Sequence, residues 1–143
     1  MIKYPPRAVY ALGLGRFYGR LVLLITTTGR KTGLPRVTPL QYEETGGEIC
    51  VASMRGERAD WFRNIRADPR VEVRIGSRRF RGVAEPITET GRVTDFIELR
   101  LSRHPRMIGA ILRWHGVPWP PSRADLEDYA AGRSMAIIRA KGS

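Results

Sequence analysis

The stretch LVLLITTTGRKTGLPRVTPL, from Leu21 to Leu40, predicts a strand, a tight basic turn and a second strand. Its first half is apolar and β-branched and is bounded by Gly29, which favours a buried strand over a helix. Gly29 and Gly33 bracket the turn, and glycine tolerates the positive φ that lets a backbone fold back and bring its N–H groups close to a ligand. Pro35 cannot donate to a strand ladder, so it belongs at the start or edge of the returning strand.

Two cationic side chains of this hairpin, Lys31 and Arg36, are predicted to converge on one anion. Lys31 lies inside the turn. Arg36 shares one face of the returning strand with Thr38 and Leu40, because side chains alternate along a strand. Two cations beside the backbone N–H groups of a glycine turn suit a phosphate. The alternative is a solvated hairpin that binds nothing.

Outward from this hairpin, alternating apolar and polar residues predict further strands. Segments 37–43 and 48–53 are separated by a Gly-Gly turn, and segments 70–75 and 78–86 are separated by Gly76-Ser77. Each pair is therefore interpreted as a hairpin. Several short strands with turn glycines and few helices favour an antiparallel barrel, because closure removes exposed strand edges.

The second half of the chain is predicted to be mainly helical, and its 143 residues have the length of one domain. Residues 88–130 show helical spacing interrupted by prolines, whereas SMAIIR, residues 134–139, is typical of a strand. We therefore expect a mainly β, α+β domain with an N-terminal helical segment at residues 1–19, a barrel core at 20–86, a helical insertion at 88–130 and a closing strand at 134–139.

The charge balance points to an anionic partner, since 25 basic residues face 14 acidic ones and the net charge is +11. Only Lys3, Lys31 and Lys141 are lysines, and all other basic residues are arginines, whose planar forks suit phosphates and carboxylates. A genome that favours arginine would give the same composition. Charge alone also suggests a nucleic-acid-binding module, but no recognisable motif supports one, so no nucleic-acid partner is expected.

The N-terminal segment and the cysteine content bear on location. Arginines interrupt the apolar residues near the N-terminus, which leaves neither a spanning helix nor a signal peptide. Pro6 to Tyr18 is predicted to be a short helix, and either packing on the barrel or contact with a membrane surface would explain its apolar side. Cys50 is the single cysteine, predicted to be a core strand thiol, which suits a reducing compartment. A cytoplasmic location is expected.

Two blocks of the sequence resemble a known family. TTTGRKTGLPRVTPL, which ends at Leu40, is similar to the signature of the deazaflavin-dependent nitroreductases, small split β-barrel proteins related to the FMN-binding pyridoxamine-phosphate-oxidase-like barrels. VASMRGERADWFRNIRADP, from Val51 to Pro69, resembles the next motif of that family, a strand ending in Ala-Ser followed by a Trp-aromatic-x-Asn helix. The resemblance extends from Leu21 to Pro86 and implies a split barrel and a homodimer.

The resemblance also implies a cofactor, coenzyme F420, and a set of site residues. Lys31 and Arg36 match residues that contact its phosphate and acidic tail, and Ala52, Ser53 and Met54 fall where the strand of the family meets the deazaflavin ring. Ser53 and Tyr129 are the implied catalytic residues, Ser53 as a hydrogen-bond donor and Tyr129 on the substrate side. The implied cofactor-binding set is Arg30, Lys31, Thr32, Arg36, Val37, Thr38, Pro39, Ala52, Ser53, Met54, Trp61 and Asn64.

The remaining residues offer little chemistry of their own. His104 and His115 have no carboxylate or cysteine at ligand spacing, so no metal site is expected. No nucleophile elbow is present. A redox cofactor would then supply the chemistry, and the expected function is hydride transfer from reduced F420 to a small nitro, quinone or enone acceptor. The alternative is a barrel of the same fold that binds FMN, FAD, haem or a lipid without deazaflavin chemistry.

Overall fold

The computed structural model describes residues 22–53 and 56–141. Six strands in these residues form a closed antiparallel barrel in the order β1-β2-β3-β6-β5-β4, with β4 pairing back to β1. The predicted antiparallel barrel with short peripheral helices is confirmed. The strands are β1 (Val22–Thr28), β2 (Pro35–Thr45), β3 (Glu48–Ser53), β4 (Arg70–Ile75), β5 (Arg78–Ile87) and β6 (Ser134–Ala140).

Local hairpins account for half of the pairings in the barrel. β1 pairs with β2 from Val22 opposite Gln41 to Thr28 opposite Pro35, so the basic turn lies at the tip of this hairpin. The β2–β3 and β4–β5 pairs are hairpins as well. β6 comes from the far end of the chain and inserts between β3 and β5, which completes the barrel.

The interior of the barrel and the outside of β6 are both covered by apolar residues. Ala136 and Ile138 point into the barrel core, whereas Met135 and Ile137 pack outward in a second cluster with helical residues. A strand that is buried on both faces has apolar residues at successive positions, which explains the SMAII pattern. Cys50 also lies in the second cluster, buried as predicted for a core strand thiol.

Four helices lie among the described residues: α1 (Asp60–Ala67), α2 (Thr90–Arg103), α3 (Pro105–Trp114) and α4 (Arg123–Ala130). α1 follows a short 3-10 turn and inserts Trp61, Phe62 and Ile65 into the barrel core. Helices α2, α3 and α4 lie between β5 and β6 in sequence and cover the outer face of the barrel, α2 against β6 and then α3 and α4 against α2. None of the helices described is long and apolar enough to cross a membrane.

Two sequence-based predictions lie outside the described residues. The N-terminal helical segment at residues 1–19, with its proposed membrane-facing side, is one of them, and Met54 is the other.

Candidate functional site

The basic turn between β1 and β2 forms a cationic cavity of about 210 Å³. Hydrogen bonds from the Gly29 amide to the Leu34 carbonyl (2.8 Å) and from the Gly33 amide to the Gly29 carbonyl (2.7 Å) close the turn. Gly33 has a φ of +74°, a conformation that favours glycine. The cavity is lined by Gly29, Arg30, Lys31, Thr32, Arg36, Val37, Thr38, Asp60, Trp61 and Asn64.

Asn64 on α1 ties this turn to the barrel. Its side chain is 2% exposed, and its Oδ1 accepts hydrogen bonds from the Arg30 amide (3.2 Å) and from Arg30 Nη1 (2.9 Å). Its Nδ2 donates to Thr27 Oγ1 at 3.1 Å. Arg30 also pairs with the Asp60 carboxylate at 3.3 Å. Arg30 and Asn64 therefore support the turn, and the charge of Arg30 is already partnered.

Lys31 and Arg36 differ from Arg30 in this respect. Both line the cavity and both are exposed, and their convergence on one anion stays a prediction. No residue within 22–53 or 56–141 forms a hydrogen bond or an ion pair with either side chain at the distances that define the other pairs. Their charges thus face the cavity and its solvent, and the cavity can hold an anion.

A second cavity, of about 450 Å³, continues from the first. The two share Thr38, Asp60 and Trp61, so together they form one groove along β2. Trp61 is 5% exposed and packs edge-on against Phe62, so its indole belongs to the core and also forms a wall of the groove. The second cavity is lined by Thr38, Pro39, Leu40, Gln41, Ala52, Ser53, Ala59, Asp60, Trp61 and Arg100.

Ser53 lies in this groove at the end of β3, and its hydroxyl already donates to the Gly56 carbonyl at 2.8 Å. It is 2% exposed. A hydroxyl has one proton and two lone pairs, so Ser53 in this arrangement can accept a hydrogen bond from a ligand but has no proton left to donate. The predicted donor role would require the bond to Gly56 to open.

A third cavity, of about 240 Å³, lies behind the groove, between the barrel and helices α2, α3 and α4. We refer to it as the apolar chamber. It shares Gln41, Ala52, Ser53 and Arg100 with the groove, so the three cavities adjoin one after another. The chamber brings Ser53 and Tyr129 to one site. Its other lining residues are Val93, Phe96, Ile97, Ile108, Ile111, Leu112, Arg133 and Ser134.

Tyr129 connects the apolar chamber with an exposed histidine. Its phenol oxygen lies 2.6 Å from Nδ1 of His115, and the two rings are stacked with centroids 5.6 Å apart. The Arg133 guanidinium lies over the phenol ring, 3.8 Å from its centroid. Burial raises the pKa of Tyr129 above its ordinary value, against the opposing effect of Arg133. The phenol therefore keeps its proton at neutral pH, and it can donate that proton to a ligand in the tautomer in which His115 Nδ1 carries a proton and donates to the phenol oxygen.

Sequence reasoning missed Arg100, which lies at the junction of the groove and the apolar chamber. Its Nη2 donates to Gln41 Oε1 at 2.7 Å, and its Nε donates to Glu43 Oε2 at 3.3 Å. Glu43 is 5% exposed and also contacts Arg103 (3.3 Å) and His104 (3.0 Å). The spacing of Arg100 and Arg103 on one helix face signals a shared anionic partner. It does not identify that partner as Glu43, which lies on a distant strand.

Comparison with known proteins adds a family and a fold. A model of the family described as F420H(2)-dependent quinone reductase matches residues 8–105. A curated F420H(2)-dependent quinone reductase of Mycobacterium tuberculosis (strain H37Rv) is 37% identical over 68 residues, 46% of this chain and 46% of its own. The chain thus matches this relative over about half of its length.

Solved structures agree on the fold. A structure titled F420-H2 dependent reductase (FDR-A) has a TM-score of 0.57 at 22% identity, over 84% of this chain and 95% of its own. A structure described as a domain-swapped dimer has the same TM-score and identity, over 84% of this chain and 81% of its own. At these identities the likeness concerns the split-barrel fold, and the predicted fold class is confirmed.

Proposed function

The chain belongs to the F420H(2)-dependent quinone reductase family, and we propose that it is an oxidoreductase that reduces a quinone-type acceptor with reduced coenzyme F420. The observation that carries the proposal is the series of three adjoining cavities: cationic at the β1–β2 turn, groove-shaped along β2, and apolar behind β3. An anionic group, a flat ring and an apolar acceptor can be placed along this series in that order.

The residues present fit the cofactor. F420 has a phosphate and an acidic tail at one end and a flat deazaflavin ring at the other. Lys31 and Arg36, free of partners among the described residues, would bind the anionic end, while Thr38, Pro39 and Trp61 would line the ring. Thr32, Val37 and Ala52 lie on the same path. When bound, the reduced cofactor supplies the hydride.

The protein supplies position, exclusion of water and a proton. The apolar side chains of α2 and α3 would keep water from an acceptor in the chamber, which strengthens every polar interaction there. Reduction of a carbonyl-type acceptor leaves charge on its oxygen, which must then be protonated. Tyr129 is protonated, lines the chamber and reaches solvent through His115, so we assign it as the proton donor. A nitro compound or an enone would also need an apolar site that excludes water and a proton donor beside the reduced group.

A fluorescence titration with F420 tests the cofactor site. Lys31→Ala and Arg36→Ala should each weaken binding about 10- to 100-fold, since a hydrogen bond to a charged group is worth roughly 1.5–3 kcal/mol. Arg79→Ala is the matched control, because it removes one exposed cation from the β4–β5 hairpin, outside the cavity. Unchanged affinity in both cavity variants would move the phosphate site elsewhere.

Parallel titrations separate the alternatives. FMN, FAD and haem at the same protein concentration test a barrel that binds another ligand without deazaflavin chemistry. Duplex and single-stranded DNA test the charge-based alternative, because six to ten phosphate contacts would cost about 10³- to 10⁵-fold in affinity between 50 and 200 mM salt. F420 binding should survive 200 mM salt, since one phosphate and a short acidic tail make fewer screened contacts.

We also propose a homodimer. Val83, which is 44% exposed, lines a surface depression together with Gly33 and Pro35, and Leu34 beside them is 63% exposed. A second copy would cover these apolar side chains, and one solved relative of this fold is described as a domain-swapped dimer. Light scattering at micromolar concentration checks the assembly, and a monomer with F420 bound would contradict it.

A further inference from the structure

Arg100 on α2 lies where the groove meets the apolar chamber, and the protein uses only part of its guanidinium. Its Nη2 and Nε donate to Gln41 and Glu43, and no described residue accepts a hydrogen bond from its Nη1. Nη1 is nevertheless accessible, because the fully buried side-chain atoms without a partner in the described chain belong to Arg133 and Ser134. The Arg100 side chain is 12% exposed, and it lines both cavities. Nη1 is therefore a fixed donor that is open to a ligand.

Strand alternation places this guanidinium on the chamber side of the sheet. Tyr42 points into the barrel core, so Gln41 and Glu43 on either side of it in β2 point outward. Ala52 on β3 also packs outward, in the cluster that β6 shares with α2. Arg100 bonds to the two outward side chains of β2, so it lies between the barrel and α2. The chamber occupies the same space.

The charge at this junction stays positive. Glu43, the carboxylate that Arg100 contacts, also contacts Arg103 at 3.3 Å and His104 at 3.0 Å. Arginine keeps its proton in proteins, so two permanent positive charges share one negative charge. Among the described residues, those that line the chamber include no acid. An accessible guanidinium that shares its counter-ion is suited to an oxygen atom that bears negative charge.

We propose that Arg100 is a specificity-determining residue that binds, through Nη1, the oxygen atom of the acceptor on which negative charge develops during reduction. When hydride adds to a carbonyl-type acceptor, the acceptor gains two electrons and the cofactor is oxidised by two. The π electrons of the C=O bond move to the oxygen, which stays anionic until it takes the proton of Tyr129. A positive charge that is already fixed beside this oxygen stabilises it without rearrangement. The role in reduction rests on the proposed function, whereas the preference for an anionic oxygen rests on Arg100 itself.

Arg103 offers a matched comparison, because it shares the counter-ion of Arg100 but not its cavities. Both lie on α2, and both contact Glu43 at 3.3 Å. Arg103 lines neither the groove nor the chamber, and its Nη1 donates to the Glu44 carbonyl at 2.7 Å. Arg100→Gln and Arg103→Gln each remove one positive charge from Glu43, so their melting temperatures should fall by similar amounts. Only Arg100→Gln removes a positive charge from the cavities.

The test uses 4-nitrophenol as the probe and the full chain without F420. One substituted ring suits the chamber, since a dry apolar cavity of about 150 Å³ binds benzene and the chamber has about 240 Å³. The phenolate absorbs at longer wavelength than the phenol, so a pH titration of absorbance gives the pKa of the bound probe. An apolar site raises the pKa of a phenol, and a nearby positive charge lowers it. Tyr129 shows both effects, because burial raises its pKa and the charges of Arg133 and Arg100 oppose that rise.

The native protein should lower the pKa of bound 4-nitrophenol by about one pH unit relative to the free probe, which corresponds to roughly tenfold tighter binding of the phenolate than of the phenol. Arg100→Gln should return the pKa to the value of the free probe or above it, and Arg103→Gln should leave the native value. Arg133, the other cation of the chamber, stays in every variant. Arg100→Lys keeps the charge, so it should retain part of the lowering, and it replaces Arg100→Gln if that variant does not fold.

4-Nitroanisole, the methyl ether of the probe, has no proton to lose and should bind the native protein and Arg100→Gln equally. The proposal is overturned if 4-nitrophenol does not bind, if the native protein does not lower its pKa, or if Arg100→Gln and Arg103→Gln give the same value. Complete loss of the lowering in Arg100→Lys would also overturn it, because charge would then not be the cause. Absence of F420 binding in a separate titration would refute the proposed function and leave the preference for an anionic oxygen intact.

Discussion

Replacing Asn64 with alanine should destabilise the protein more than its single side chain suggests, because Asn64 joins three elements. It lies on α1, accepts two hydrogen bonds from Arg30 in the basic turn and donates one to Thr27 on β1. Asn64 and Thr27 are each 2% exposed, so water replaces these bonds poorly after truncation. The alanine variant leaves the Thr27 hydroxyl and the Arg30 amide without their partner.

The size of the effect follows from those bonds. Each of the two neutral hydrogen bonds is worth about 0.5–1.5 kcal/mol, and the bond from the Arg30 guanidinium is worth roughly 1.5–3 kcal/mol in a buried setting. Arg30 keeps its contact with Asp60, so the charged bond counts at the lower end. We expect a loss of about 2.5–4.5 kcal/mol in the free energy of unfolding, and a melting temperature lower by about 8–14 °C.

Thermal and urea unfolding followed by circular dichroism measure this loss, and amide exchange at Arg30 locates it. The Arg30 amide should exchange faster in Asn64→Ala, because its acceptor is gone. Asn64→Asp should lose less, since its carboxylate still accepts from Arg30 and the Thr27 hydroxyl can turn to donate. Arg63→Ala, on the exposed face of α1, is the control and should change stability by about 0.5 kcal/mol or less. Equal stability of Asn64→Ala and Arg63→Ala would refute the reasoning.

Three further results are expected. Gly56→Ala should lower the free energy of unfolding in urea by at least about 1–3 kcal/mol, because φ is +59° and a Cβ would collide with a backbone carbonyl. Gly46→Ala is the control: its φ is +57° but its surroundings are open, so it should lower that free energy by less. Hydrogen bonds from Arg70 hold the pKa of Asp68 at about 2, below its ordinary 3.8. The stability that this pair contributes is therefore present above pH 3.8 and is lost as the pH falls towards 2. Asp68→Asn should flatten that part of a plot of the urea unfolding midpoint against pH. Burial raises the pKa of the Cys50 thiol, so a thiol reagent at pH 8 should label it only after unfolding.

Short-range patterns were enough to predict much of the barrel. The apolar run before Gly29, the glycines of the turn and Pro35 after it define a hairpin within twenty residues, and the structure has that hairpin. Ser122 likewise starts α4 with a capping box, a motif contained in four residues. Such features depend on neighbours in sequence, so they are visible without the fold. The approach of Lys31 and Arg36 to one cavity follows from the same hairpin.

The amino-acid sequence by itself therefore determined where the strands and the turn lie and which strand face carries Arg36, because local backbone preference and side-chain alternation set these features. Only the tertiary structure decided which distant residues meet. Asn64 reaches Arg30 across 34 positions, and Arg100 reaches Glu43 across 57. The apolar chamber exists because β6 enters between β3 and β5 and helices α2, α3 and α4 pack over that part of the barrel. Contacts of this kind depend on how the strands close into a barrel and how the helices pack on it, and neither can be deduced from the spacing of residues in the sequence.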